Sequence, residues 1–173
     1  MKRILILALA ALLTGCATHY SQQGLNALQS REYAAAYQNF ESAAKQGDVN
    51  AFSYVGYMFE KGMGFRKNLD TARKHYELAA QKGSVHGLNN LGTLLWTHGV
   101  TRKEKELGVQ YLTLAARWGN PNAIRGLKNI GRPVPSADLL QAQRRRNDEN
   151  VGSMILMMNS LLQSYNQGRY GSP

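Results

Sequence analysis

The sequence predicts an all-α chain, an α-solenoid of antiparallel helix pairs closed by C-terminal capping helices. Three observations predict it. A five-residue phrase recurs at an even step of 36 residues: Ala43-Ala44-Lys45-Gln46-Gly47, Ala79-Ala80-Gln81-Lys82-Gly83 and Ala115-Ala116-Arg117-Trp118-Gly119. Between these phrases, apolar and small residues fall three or four apart, the period of an amphipathic helix. A glycine follows each Ala-Ala pair, and glycine takes the left-handed conformation that ends a helix without strain. Each repeat is therefore a helix, a turn and a helix. One such hairpin cannot bury its apolar face alone, so neighbours must stack.

The elements follow in chain order. Met1-Lys2-Arg3 precedes an apolar run over 4–13 and then Thr14-Gly15-Cys16. A short positive end, an apolar stretch and a small-residue exit make a secretory signal. The run is too short for a membrane span, which needs about 20 apolar residues. Residues 1–15 are expected to be a signal peptide and 16–130 the repeat solenoid. Its first unit has a short helix around 22–29 and a second over 32–47. In the next unit Ala51, Val55, Phe59 and Gly62 mark one helix, and Ala72, Tyr76, Ala79, Ala80 and Gly83 the other. The same step pairs Phe40 with Tyr76 and Leu112, Ala36 with Ala72 and Gly108, Ala51 with Gly87 and Ala123, and Gly56 with Gly92. Residues 121–130 form the first helix of a unit that is not completed.

Residues 131–135, Gly-Arg-Pro-Val-Pro, are expected to be an extended linker, because proline opposes helix. C-terminal helices are expected over 136–165, with Ser136 as the N-cap of the first and a disordered tail over 166–173. Val151, Met154, Ile155, Met158, Leu161, Leu162 and Tyr165 make one apolar stripe. It can cap the last hairpin, as terminal units of a solenoid require. It can also hold a partner or a membrane surface, and methionines suit adaptable interfaces. The scarcity of basic residues on this helix argues against membrane insertion.

Leu13-Thr14-Gly15-Cys16 resembles the lipobox of bacterial lipoproteins. The resemblance implies that the chain is cut before Cys16, with diacylglycerol on its thiol and an N-acyl lipid on its amine. Such chemistry needs a nucleophilic thiolate. The alternative is an ordinary signal with a chance cysteine. Ala17, rather than Asp, after the cysteine implies sorting to the outer membrane of a Gram-negative bacterium, facing the periplasm. Cys16 is the only cysteine, so no intrachain disulfide or CxxC site can form.

The repeats resemble the Sel-1-like repeat, a relative of the tetratricopeptide repeat. Its pattern is roughly A-x3-L-G-x2-Y-x2-G-x-G-V followed by D-x3-A-x2-W-Y-x2-A-A-x2-G. Val55-Gly56, Phe59, Gly62, Gly64, Ala72, His75-Tyr76, Ala79-Ala80 and Gly83 match it, while Phe65 and Asn68 replace Val and Asp. The following unit keeps Leu91-Gly92 and Ala115-Ala116 but has His98 and Val100 where glycines are expected, so its turn should differ.

The formal net charge is +10, and loss of Lys2 and Arg3 with the signal would leave about +8, which favours acidic partners or an anionic lipid surface. The basic residues are scattered except for Arg144-Arg145-Arg146, so no nucleic-acid-tracking groove is expected. The histidines, His19, His75, His86 and His98, lack metal-ligand spacing. Gly62-Met63-Gly64 lacks the ending of a phosphate loop and reads as the turn between helices. No enzyme activity, metal or cofactor is expected beyond the lipid on Cys16.

Binding remains. By analogy with tetratricopeptide proteins, first helices line a concave face, and the 36-residue step sets their residues in columns: Asn50, His86 and Asn122; Ser53, Asn89 and Arg125; Tyr57, Thr93 and Asn129; Glu60 and Trp96. The expected function is a non-catalytic protein-interaction scaffold in an envelope or secretion assembly, with other envelope proteins as partners. An immunity or inhibitor protein against a toxin or lytic enzyme is one alternative. An accessory binder of cell-wall or exported polysaccharide, stacking sugars on Tyr57 and Trp96, is another.

Overall fold

A computed structural model describes residues 19–136, 152, 155–161 and 163. The expected signal over 1–15, Cys16, most of the residues expected in C-terminal helices and the tail over 166–173 lie outside the described residues. Every regular element among the described residues is a helix, and they contain no strand. We label them α1 (19–29), α2 (Tyr33–Lys45), α3 (Ala51–Lys61), α4 (Leu69–Gln81), α5 (Val85–His98), α6 (Arg102–Arg117), α7 (Pro121–Asn129) and α8 (155–161). Two compact units divide the chain, Met1–His75 and Tyr76–Pro173.

The repeat phrase is one joint made three times. Gly47, Gly83 and Gly119 all have left-handed φ, at 94°, 92° and 82°. Just beyond them the N–H groups of Asp48, Ser84 and Asn120 donate to the carbonyls of Ala43, Ala79 and Ala115 at 3.0, 2.9 and 3.0 Å. This is the closure that satisfies the last carbonyls of a helix. In the second and third joints the residue after the glycine caps the next helix, while in the first α3 starts two residues later, with Asn50 as N-cap. Ser84 Oγ accepts from the Gly87 N–H at 3.0 Å. Asn120 Oδ1 accepts from the Asn122 and Ala123 N–H groups at 2.9 and 3.0 Å, with Pro121 pre-set for the first turn. Asp48 Oδ1 takes the Asn50 N–H at 2.8 Å, and its Oδ2 takes the Ser21 hydroxyl. One short phrase thus ends one helix and begins another.

In the first unit the core gathers Ala27, Ala36, Phe40, Ala43, Ala51, Val55 and Met58. Gly24 lets α1 lie on Phe40: a Cβ there would stand 2.5 Å from the ring. In the second unit Tyr76, Leu88, Leu91, Tyr111, Leu112, Ala115 and Leu127 are buried among α4 to α7. Helices α5 and α6 meet backbone to backbone at Gly92 and Gly108. A Cβ on either would lie 2.8 or 2.7 Å from the other's carbonyl oxygen.

The two inner turns differ, as the loss of glycines at 98 and 100 predicts. Between α3 and α4 seven residues intervene, with Gly62 and Gly64 at φ 73° and 75°. Between α5 and α6 only three intervene, because α5 runs on to His98 and α6 starts early at Arg102. There Thr101 and Glu104 form a capping box, the Glu104 N–H donating to Thr101 Oγ1 at 3.1 Å and the Thr101 N–H to Glu104 Oε2 at 3.1 Å.

After α7, residues 132–136 carry no helix, and Arg132 is tied back to α6 by an ion pair with Glu106 at 2.7 Å. In α8, Met158 is fully buried, Ile155 and Leu161 are half-buried, and Leu156 and Met157 are exposed. The apolar stripe therefore faces protein over its described part. No described helix is long and apolar enough to cross a membrane.

Candidate interaction faces

The first helices α3, α5 and α7 carry every residue of the predicted columns within 50–129, with Asn50 standing just ahead of α3 as its N-cap. In the first unit, Asn50 and Glu60 are half-buried and Tyr57 is exposed. Glu60 pairs with Lys61 at 2.5 Å, and the Lys61 ammonium stands 5.6 Å from the Tyr57 ring centroid. That cation covers a ring face that a sugar would need. The ammonium's pKa is raised, chiefly by its hydrogen bond to Glu60, so it stays charged. Ser53 is buried at 2 % exposure and presents no surface to a partner.

In the second unit α5 and α7 are neighbours. Their exposed members are His86 and Thr93 on α5, and Asn122, Arg125 and Asn129 on α7. Asn122 Oδ1 accepts from Arg125 Nη2 at 2.5 Å, which fixes a paired amide and guanidinium on the α7 face. The Thr93 hydroxyl donates to the Asn89 carbonyl at 2.9 Å. Trp96 is half-buried. Asn89, at 9 % exposure, turns its amide to Asn90 Oδ1 at 3.0 Å. The column Ser53, Asn89, Arg125 is thus closed in its first two members and open in its last.

An aromatic ladder in the first unit was not assigned as such from the sequence. Tyr37 meets Phe65 edge-on with centroids 5.0 Å apart, Phe65 stacks on Phe59 at 4.5 Å, and Phe59 stacks on His75 at 5.6 Å. Phe65, at the position where the repeat pattern has Val, is the rung that joins the turn to α2 and α3. The Tyr37 hydroxyl donates to Glu41 Oε1 at 2.7 Å, and that bond raises the tyrosine's pKa. His75 is a packed ring, as its repeat position predicts. Burial pushes its pKa down, with the Glu41 charge partly offsetting, and Nδ1 has no hydrogen-bond partner among the described residues. Among the described residues, no three His, Cys, Asp or Glu gather into a metal site.

Comparison with known proteins matches this arrangement. The family model for the Sel1 repeat matches residues 8–48, 53–84 and 85–120. A crystal structure of a Sel1 repeat protein from Oxalobacter formigenes superposes with a TM-score of 0.59 at 26 % identity, over 77 % of this chain. The chain spans 59 % of the length of that structure. No curated protein sequence matches it.

Proposed function

Because this chain belongs to the Sel1 repeat family, we propose that it is a non-catalytic scaffold, anchored by lipid on Cys16 in the outer membrane and facing the periplasm, that holds another envelope protein on its first helices. Sel1 repeats are in general protein-interaction scaffolds. The observation that carries the reading here is the exposure of His86 on α5 and of Asn122, Arg125 and Asn129 on α7, two neighbouring first helices. Donor and acceptor groups spaced along rigid helices suit recognition of a peptide backbone or a polar protein surface. Arg125, held by Asn122, is the pre-organised charge on this face. The sequence Leu13-Thr14-Gly15-Cys16 supports the anchor.

A photo-crosslinking residue placed at 86 or 122 should yield one discrete adduct in intact cells, and the same residue at 105 on α6 should not. The double variant Asn122→Ala/Arg125→Ala should abolish the adduct formed from position 86. Equal adducts from the control position would overturn the face. An adduct with a toxin or lytic enzyme would move the reading to immunity. For the anchor, incorporation of a palmitate analogue and sedimentation with membranes should both depend on Cys16. A Cys16→Ser protein that keeps the label would sink it.

A further inference from the structure

Along one face of α6 run Glu106, Val109, Thr113, Leu114 and Arg117, at helical intervals. Opposite them stand Leu156, Met157 and Leu161 of α8. Together they enclose an open groove of about 670 Å³, within the size range of small-molecule sites. Eleven residue steps from Glu106 to Arg117 span roughly 16 Å at about 1.5 Å per residue.

The walls are largely aliphatic, with the exposed Gln110 and Ser160 side chains also on them, and the charged groups lie toward the two ends of the α6 wall. The Thr113 hydroxyl donates to the Val109 carbonyl at 2.8 Å, so its hydrogen is already used. The Glu106 carboxylate is paired with Arg132 at 2.7 Å. Arg117, by contrast, has no hydrogen bond or ion pair among the described residues. A largely apolar trough with a neutralised ion pair toward one end and, toward the other, a guanidinium without a partner among the described residues has a direction.

We propose that this groove binds a single-chain amphiphile with an anionic head, its acyl chain lying along Val109, Leu114, Leu156 and Leu161 and its head on Arg117. A helix from a partner would also cover aliphatic residues, but it would not require an anion at one end. Met157 at the lip adapts to chains of different shape.

The probes are dodecanoate and its neutral counterpart dodecanol, titrated below their aggregation limits into the full purified chain. Dodecanoate should bind saturably at one site and raise the melting temperature. Arg117→Gln should weaken dodecanoate about tenfold, the scale of one charge-assisted hydrogen bond, and leave dodecanol unchanged. Thr113→Trp, which fills the groove from a half-exposed wall position, should abolish binding of both without lowering the unliganded melting temperature. Binding that survives Thr113→Trp would place the amphiphile elsewhere and overturn the proposal. So would a groove that ignores dodecanoate but takes a leucine-rich amphipathic peptide in a Thr113→Trp-sensitive manner.

Discussion

At His75 a ring nitrogen is buried without a partner among the described residues while the ring stacks on Phe59. Burial favours the neutral imidazole, so the folded pKa lies below the unfolded one. Above an unfolded value of about 6.5 both states are neutral at this site and it does not affect stability. As pH falls through that value the unfolded chain takes up a proton first, and stability is lost until the folded pKa is passed. Urea titrations from pH 8 to pH 5 should therefore show a steeper loss for the natural chain than for His75→Phe. Parallel profiles would mean that His75 charges freely in the fold. The sequence placed His75 at the aromatic core position of its repeat. It could not show that Phe65 and Phe59 form a row from it to Tyr37, because those contacts join separate elements.

The meeting of α5 and α6 rests on two glycines that serve contact rather than flexibility. In Gly92→Ala the new methyl would stand 2.8 Å from the Gly108 carbonyl and 2.9 Å from Leu112. Backbone cannot move aside as a side-chain tip can, so we expect a loss of about 1–3 kcal/mol despite alanine's better helix propensity. Gly126 on α7 is the contrast, since a Cβ there meets only Leu112 Cδ2 at 3.9 Å. Gly126→Ala should stabilise by about 0.5–1 kcal/mol, through the smaller entropy of the unfolded chain. Denaturant midpoints of the two variants should move in opposite directions. At this scale the sequence was highly legible. The glycines marked the helix stops, while the caps at Ser84, Asn120 and Thr101 came from the structure, although their partners lie within a few residues. The three-residue turn before α6 was legible only as a departure, because its length depends on how far α5 and α6 extend into the space vacated by the missing glycines.

For the molecule as a whole, the C-terminal stripe had two readings, a cap or a docking helix. Met158 is fully buried while Leu156 is exposed. Met158→Ala should cost about 2–5 kcal/mol, and Leu156→Ala should stay within about 0.5 kcal/mol, each measured by thermal melting. Equal melting of both variants would remove α8 from the second unit's core. The sequence by itself determined the helical class, the 36-residue step and the joints between repeats. These rest on interactions among near neighbours, and each phrase carries its own stop and start. Only the tertiary structure decided which column residues face outward. Ser53 and Asn89 occupy the same repeat position as Arg125, yet they are buried and it is exposed. Periodicity assigns a residue to a helix face, but exposure depends on what stands opposite that face. The groove between α6 and α8 has the same origin: the C-terminal apolar stripe was visible in the chain, and the space left beside its helix was not.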